Sequence, residues 1–183
     1  MGGATTAPPA LPYVQFAVSQ CSKKGEDRSV ALPRVTFPLR GDASPQSGGS
    51  PGSGNCSGAE PESDVYGLWG VFDGHNGPLA AEYAAETVPA LFHRRLKAEL
   101  AGGTTVAAAV AAALVSAFVE TDQAFTEAHA AGGTTATVCV VYGWLCTLAC
   151  VGDSRAVYDD GSQARTPARR LGGWSRVARS HPG

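Results

Sequence analysis

The apolar run Leu68-Trp69-Gly70-Val71-Phe72 stops abruptly at Asp73-Gly74-His75-Asn76-Gly77, and this break constrains the fold more than any other feature of the chain. A strand through Leu68, Trp69, Val71 and Phe72 is anchored in a core, so a carboxylate at its tip is held rigidly and aimed outward. Asp73 supplies a hard oxygen. Gly74 lets the backbone turn or approach closely and can expose its own carbonyl as a second oxygen ligand, while His75 adds a proton donor near neutral pH. The cluster can hold a metal ion. Asp-Gly is equally a turn signal, and both readings stand on this stretch alone.

Further along, Gly133-Thr134-Thr135-Ala136 opens a β-rich run that leads to Val151-Gly152-Asp153-Ser154-Arg155-Ala156-Val157. With this second motif the chain resembles the metal-dependent serine/threonine protein phosphatases of type 2C, the PPM family. Their catalytic domains carry a phenylalanine-aspartate-glycine-histidine-glycine element followed by a glycine-aspartate-serine-arginine hairpin. Upstream, Lys23-Lys24-Gly25-Glu26-Asp27 is similar to the family's early acidic pair. The resemblance covers about residues 13 to 161 and is specific when the three motifs are taken together.

The rest of the chain can be divided by pattern. Residues 1–12 are small, prolyl and polar, and read as a disordered lead. From Tyr13, Val14, Phe16 and Val18 alternate with Gln15, Ala17 and Ser19, the period of a half-buried strand that can pair with Arg28 to Leu39 across the Lys-Lys-Gly-Glu-Asp turn. Residues 41–63 are rich in glycine, serine and proline, and read as a flexible insertion. One helix is expected from about Gly77 to Leu100, with Ala81, Ala84, Ala85, Val88, Leu91, Phe92 and Leu96 on one side and Pro89 able to kink or split it. A second is expected from about Thr104 to Ala130, capped by Thr104 or Thr105. Strands follow near Thr134 to Tyr142, Leu145 to Val151 and Arg155 to Tyr158. The order β, β, β, α, α, β, β, β gives an α+β class. With the resemblance it implies part of a four-layer α-β-β-α sandwich, antiparallel sheets with a helical pair, its C-terminal part missing.

Charge and cysteine usage narrow the setting. Five of the fourteen cations, all arginines, follow Gly161 with no acid among them, so residues 162–183 carry +5 against −7 for the remainder and read as a basic tail unlike the family. Such a tail can touch phosphate, or it can be a solvated end. Five cysteines and no visible signal peptide point to an intracellular protein of cytoplasm or nucleus. Cys146 and Cys150 share one face of a probable strand but sit about 13 Å apart, too far for a disulfide or a shared zinc. The longest apolar run, Val106 to Val119, has fourteen residues, short of the roughly eighteen a span needs, so no membrane helix is expected. Met1-Gly2 with Thr6 does match the simple myristoylation pattern.

The resemblance implies a chemistry. Two ions, Mg²⁺ or Mn²⁺, would activate a water against phosphoserine or phosphothreonine, and the all-oxygen donor set suits such cations better than zinc. Asp73 would bridge both ions, Gly74 would lend its carbonyl, Glu26 would reach one ion, Asp27 would support the shell, and Asp153 would hold a weaker additional metal. His75 would be the general acid. Structural alternatives stand beside these roles: a solvated hairpin tip for Glu26 and Asp27, and a hairpin ion pair for Asp153 with Arg155. His93 and His129 are expected to be ordinary helix residues. Many relatives place a phosphate-gripping arginine four residues before the acidic glutamate, where this chain has Ser22; Lys23 or Lys24 can substitute as a point charge. The implied function is protein serine/threonine phosphatase, weak or inactive without the family's later aspartates. The alternative is a noncatalytic module binding phosphoproteins or kinases. Expected partners are phosphorylated proteins and protein kinases, with no nucleic acid, no stable membrane insertion and a monomeric state.

Overall fold

Period-2 alternation decides which side of the main sheet is buried. The structure, a computed structural model, describes residues 14–19, 22, 24–38, 63–159, 163–165 and 174–178. Strand β1 (Arg28–Pro38) pairs antiparallel with β2 (Ser63–Phe72), and β2 pairs with β5 (Ala136–Tyr142). Strand β6 (Leu145–Val151) follows β5 as a hairpin, and β9 (Trp174–Ala178) adds to β6. The result is a five-stranded antiparallel sheet in the order β1-β2-β5-β6-β9. Two short ribbons complete the strands: β3 (Gly74–His75) with β4 (Gly133–Thr134), and β7 (Tyr158–Asp159) with β8 (Ala164–Arg165).

Helices α1 (Leu79–Ala101) and α2 (Val106–Ala128) cover one face of that sheet. Tyr66, Leu68 and Phe72 of β2, Val138 and Val140 of β5 and Ala149 of β6 meet Ala81, Ala84, Val88, Phe92 and Leu96 of α1 and Ala109, Val110, Ala113, Leu114 and Ala117 of α2 in one buried cluster. The alanine stripes let the helix backbones approach each other and the sheet. Tyr66 is kept in place at its polar end: its hydroxyl lies 3.0 Å from Nδ1 of the half-buried His93. Burial and the nearby Lys97 hold His93 below the ordinary imidazole range.

The α+β class stands, with one helical layer and one main sheet layer among the described residues. Several local expectations are corrected. Residues 14–19 form no strand, and β1 pairs instead with β2, whose longer extended backbone offers more ladder hydrogen bonds; Phe16 rests against Trp69 with ring centroids 6.0 Å apart. Helix α1 passes through the buried Pro89 unsplit, because its apolar stripe stays in phase on both sides and outweighs one lost backbone bond. Thr105 occupies the α2 N-cap without a side-chain bond, while Thr104 donates to Glu99 at 3.3 Å. By length and composition α2 is long and apolar enough to cross a membrane, because the helix continues past the fourteen-residue run to Ala128; its buried stripe is committed to α1 and the sheet. A strand at Trp174–Ala178 was not foreseen, and it satisfies the backbone groups that β6 would otherwise leave unpaired at an edge. The lead at residues 1–12, nearly all of the 41–63 insertion and most of the tail lie outside the described residues.

The core predicts its own sensitivity. Phe92 is fully buried and meets the Tyr66 ring edge-on at 5.3 Å. Phe92→Ala therefore lowers unfolding free energy by about 3–5 kcal/mol in urea titrations.

Candidate metal and phosphate site

Beyond Phe72 the chain leaves the main sheet, and a backbone clamp holds it there. The Thr135 amide donates to the Asp73 carbonyl at 2.9 Å, and the Asp73 amide donates to the Thr135 hydroxyl at 3.3 Å. The same hydroxyl lies 2.6 Å from the Ser154 hydroxyl. Thr135 thus joins the tip of β2 to the turn that carries Asp153. Gly152 in that turn has φ +93°, and a Cβ there would fall 2.8 Å from the Thr135 methyl, so only glycine fits.

The early acidic pair reaches the same place. The Gly74 backbone packs directly on the Glu26 carbonyl, leaving no room for a side chain at Gly74. Arg28 shapes the segment from below: its guanidinium donates to the carbonyls of Gly25 at 2.9 Å and Asp27 at 2.7 Å, and pairs with Glu82 of α1. Ser22 closes the turn by accepting the Gly25 amide at 2.9 Å. The Glu26 carboxylate accepts the Gly77 amide at 2.8 Å, just ahead of α1, whose own N-cap, Pro78, makes no side-chain cap bond.

The carboxyls of Asp27 and Asp73 meet at the tip of β2. Asp27, placed by resemblance in a supporting role, has its carboxyl in hydrogen-bond contact with that of Asp73, and Asp153 lies close enough for its charge to be felt. Loss of hydration comes first, then Asp27 and Asp153, in pushing the Asp73 carboxyl above the usual carboxylate range; His75 works the other way. Glu26 spends one oxygen on Gly77. Asp73, His75 and Asp153 are exposed, whereas Gly74 is buried. The His75 ring lies over Gly133, where a Cβ would sit 2.5 Å from Nε2. Among the described residues no three histidine, cysteine or acidic side chains are gathered closely enough to hold a metal as they stand. Of the two lysines considered for phosphate, Lys24 is exposed and Lys23 lies outside the described residues. Arg155 turns back to the carbonyls of Gly152 at 3.5 Å and Ser154 at 3.0 Å, and no Asp153–Arg155 ion pair occurs among the described residues.

Sequence reasoning missed Thr135 and Arg28. Thr135 lies inside the Gly133–Ala136 motif, but its role depends on meeting Asp73 and Ser154 from distant segments. Arg28 acts on its near neighbours Gly25 and Asp27 and reaches Glu82 of α1, a contact that no local pattern signals.

A profile described as Protein phosphatase 2C matches residues 48–170. The chain belongs to the protein phosphatase 2C family. It is 35% identical over 148 residues to a probable protein phosphatase 2C 15 of Arabidopsis thaliana, covering 81% of this chain and 29% of that protein. It is 42% identical over 95 residues to a probable protein phosphatase 2C 40 of Oryza sativa subsp. japonica, covering 51% of this chain and 20% of the relative. The chain thus spans less than a third of these relatives. Among solved structures, a C. elegans sex determining protein aligns with TM-score 0.55 at 22% identity, over 81% of this chain and 31% of that one, and so shares the fold.

Two outcomes follow from the clamp and the crowded acids. Thr135→Val removes the hydroxyl shared by Asp73 and Ser154 and lowers stability by about 1–2 kcal/mol in urea unfolding. Because the folded Asp73 carboxyl binds its proton more tightly than an unfolded one, its stabilising share is complete below its ordinary value of 3.8 and lost as pH rises through the folded value. At neutral pH and without divalent cations the charge opposes folding. Asp73→Asn therefore raises the thermal midpoint at pH 7, read by thermal melts across pH, and the gain fades as pH falls toward 4.

Proposed function

We propose that this chain supplies the metal- and proton-handling part of a protein serine/threonine phosphatase that hydrolyses phosphoserine and phosphothreonine esters. The observation that carries the reading is the meeting of Asp27 and Asp73 at the tip of β2, with Asp153 brought near through Thr135, in a chain of this family.

The donor chemistry fits a hard divalent cation. Acidic oxygens are drawn together against their own repulsion, and a carboxyl held above its usual range under such crowding is relieved by a cation. Family members are generally metal-dependent, and Mg²⁺ and Mn²⁺ are the ions an all-oxygen set prefers. Asp73, Asp27, the Gly74 carbonyl and Asp153 would hold them, with Glu26 contributing its remaining oxygen. Bound there, such ions lower the pKa of a water and offset phosphoryl charge.

The chain's own groups do the rest. Thr135 fixes the backbone of Asp73, so the carboxylate need not be ordered when substrate arrives. Exposed His75, backed by Gly133, holds a proton for the departing serine or threonine oxygen. Lys24 draws the phosphate by charge, without the two-pronged grip of an arginine. Substrates are phosphorylated proteins, and protein kinases are partners that can present them.

The test uses the purified chain and a phosphothreonine peptide. Mn²⁺ raises the thermal midpoint and elicits phosphate release; Asp73→Asn abolishes both, and His75→Asn lowers the rate by about 100-fold while keeping the thermal shift. A Mn²⁺ shift of equal size in wild type, Asp73→Asn and Asp27→Asn would overturn the assignment.

A further inference from the structure

The face of the main sheet turned away from the helices carries the odd-numbered positions of β5. Cys139 stands opposite Leu148 and Val141 opposite Cys146, so Cys139 and Cys146 are diagonal neighbours on adjacent antiparallel strands. Their sulfurs are 3.6 Å apart. Both are free and partly exposed. The third described cysteine, Cys150, stands opposite Thr137 and is the other diagonal neighbour of Cys139, but it lies about 13 Å from Cys146 along β6; the sulfur contact is the one between Cys139 and Cys146.

We propose that Cys139 and Cys146 form a peroxide-responsive dithiol that closes to a disulfide across β5 and β6. To reach the bonded distance of about 2.05 Å the sulfurs move about 1.6 Å closer, and because diagonal neighbours start farther apart than directly opposite ones, β5 and β6 draw together as the side chains rotate. A hydrogen bond between the two sulfurs differentiates the pair. It holds Cys146 below the ordinary thiol range, at about 7, and, with burial, keeps the proton on Cys139. Cys146 is thus the attacking thiolate and Cys139 the resolving thiol.

The chemistry balances in two steps. The Cys146 sulfur attacks one oxygen of hydrogen peroxide, the O–O bond breaks, and the released hydroxide takes up a proton as water, leaving a sulfenic acid. The Cys139 sulfur then attacks the Cys146 sulfur. The S–O bond breaks, the S–S bond forms, and the Cys139 proton leaves with the hydroxide as a second water. Two thiols lose two electrons to one peroxide. A thiol reductant reverses the closure by exchange.

The location makes the event compatible with the fold. Val138 and Val140, the even positions between and beside these residues, point into the buried cluster, so the disulfide closes on the opposite face without displacing core side chains.

The test treats the purified 183-residue chain with hydrogen peroxide and reads intact mass, free thiols and a non-reduced peptide map. The expected result is the loss of two hydrogens and two thiols, a cross-linked peptide joining Cys139 to Cys146, and full reversal by dithiothreitol. Cys150→Ser still gives the cross-link; Cys139→Ser and Cys146→Ser do not. The wild-type peptide map decides on its own should a variant fold poorly. A cross-link that joins other cysteines, or oxygen addition to Cys146 with no link to Cys139, overturns the proposal.

Discussion

The contact between Thr135 and Asp73 is the constraint on which the site depends. Two backbone amides, one carbonyl and one hydroxyl bind the end of β2 to the start of β5 just where both strands leave the main sheet. Because the same hydroxyl meets Ser154, the turn after β6 is drawn to the same point. Three segments far apart in sequence are tied through one small side chain. The precision comes from the sheet beneath: β2 lies between β1 and β5, paired on both sides up to its last residues, so its tip has little freedom.

That arrangement sets stability against chemistry. Asp27 and Asp73 share a hydrogen bond with Asp153 nearby, and loss of hydration first, then these acids, hold the Asp73 proton more tightly. A surface optimised for folding alone would separate these acids or pair them with cations. Arg28 is close in sequence, yet its guanidinium is spent on the Gly25 and Asp27 carbonyls and on Glu82. It orders the acidic segment without neutralising its carboxyls. The cost is borne by the alanine-lined layer of α1 and α2, whose burial against β2 and β5 needs no help from the site.

The glycines mark where backbones must touch. Gly74 packs on Glu26, Gly133 lies under the His75 ring and Gly152 sits against Thr135. All three stand at junctions between segments, and in two of them a Cβ would strike a group of the proposed chemistry. Replacing one would move a functional atom before it damaged the core.

Much of this was legible in the chain itself. The apolar run through Leu68 and Phe72, the helical spacing of Ala81, Ala84, Val88, Phe92 and Leu96, and the strand Leu145–Val151 depend on local period and burial, which the order of residues determines. So does the placing of Asp73 at a strand end. Which partner each strand takes is another matter. Whether Arg28–Pro38 pairs with residues before it or with Ser63–Phe72, whether Asp27 or Glu26 turns toward Asp73, and whether Cys139 meets a cysteine of β6 all turn on register between segments separated by loops. Local sequence sets the face a residue presents. Only the folded sheet, through ladder hydrogen bonds and closely packed backbones, decides what that face meets.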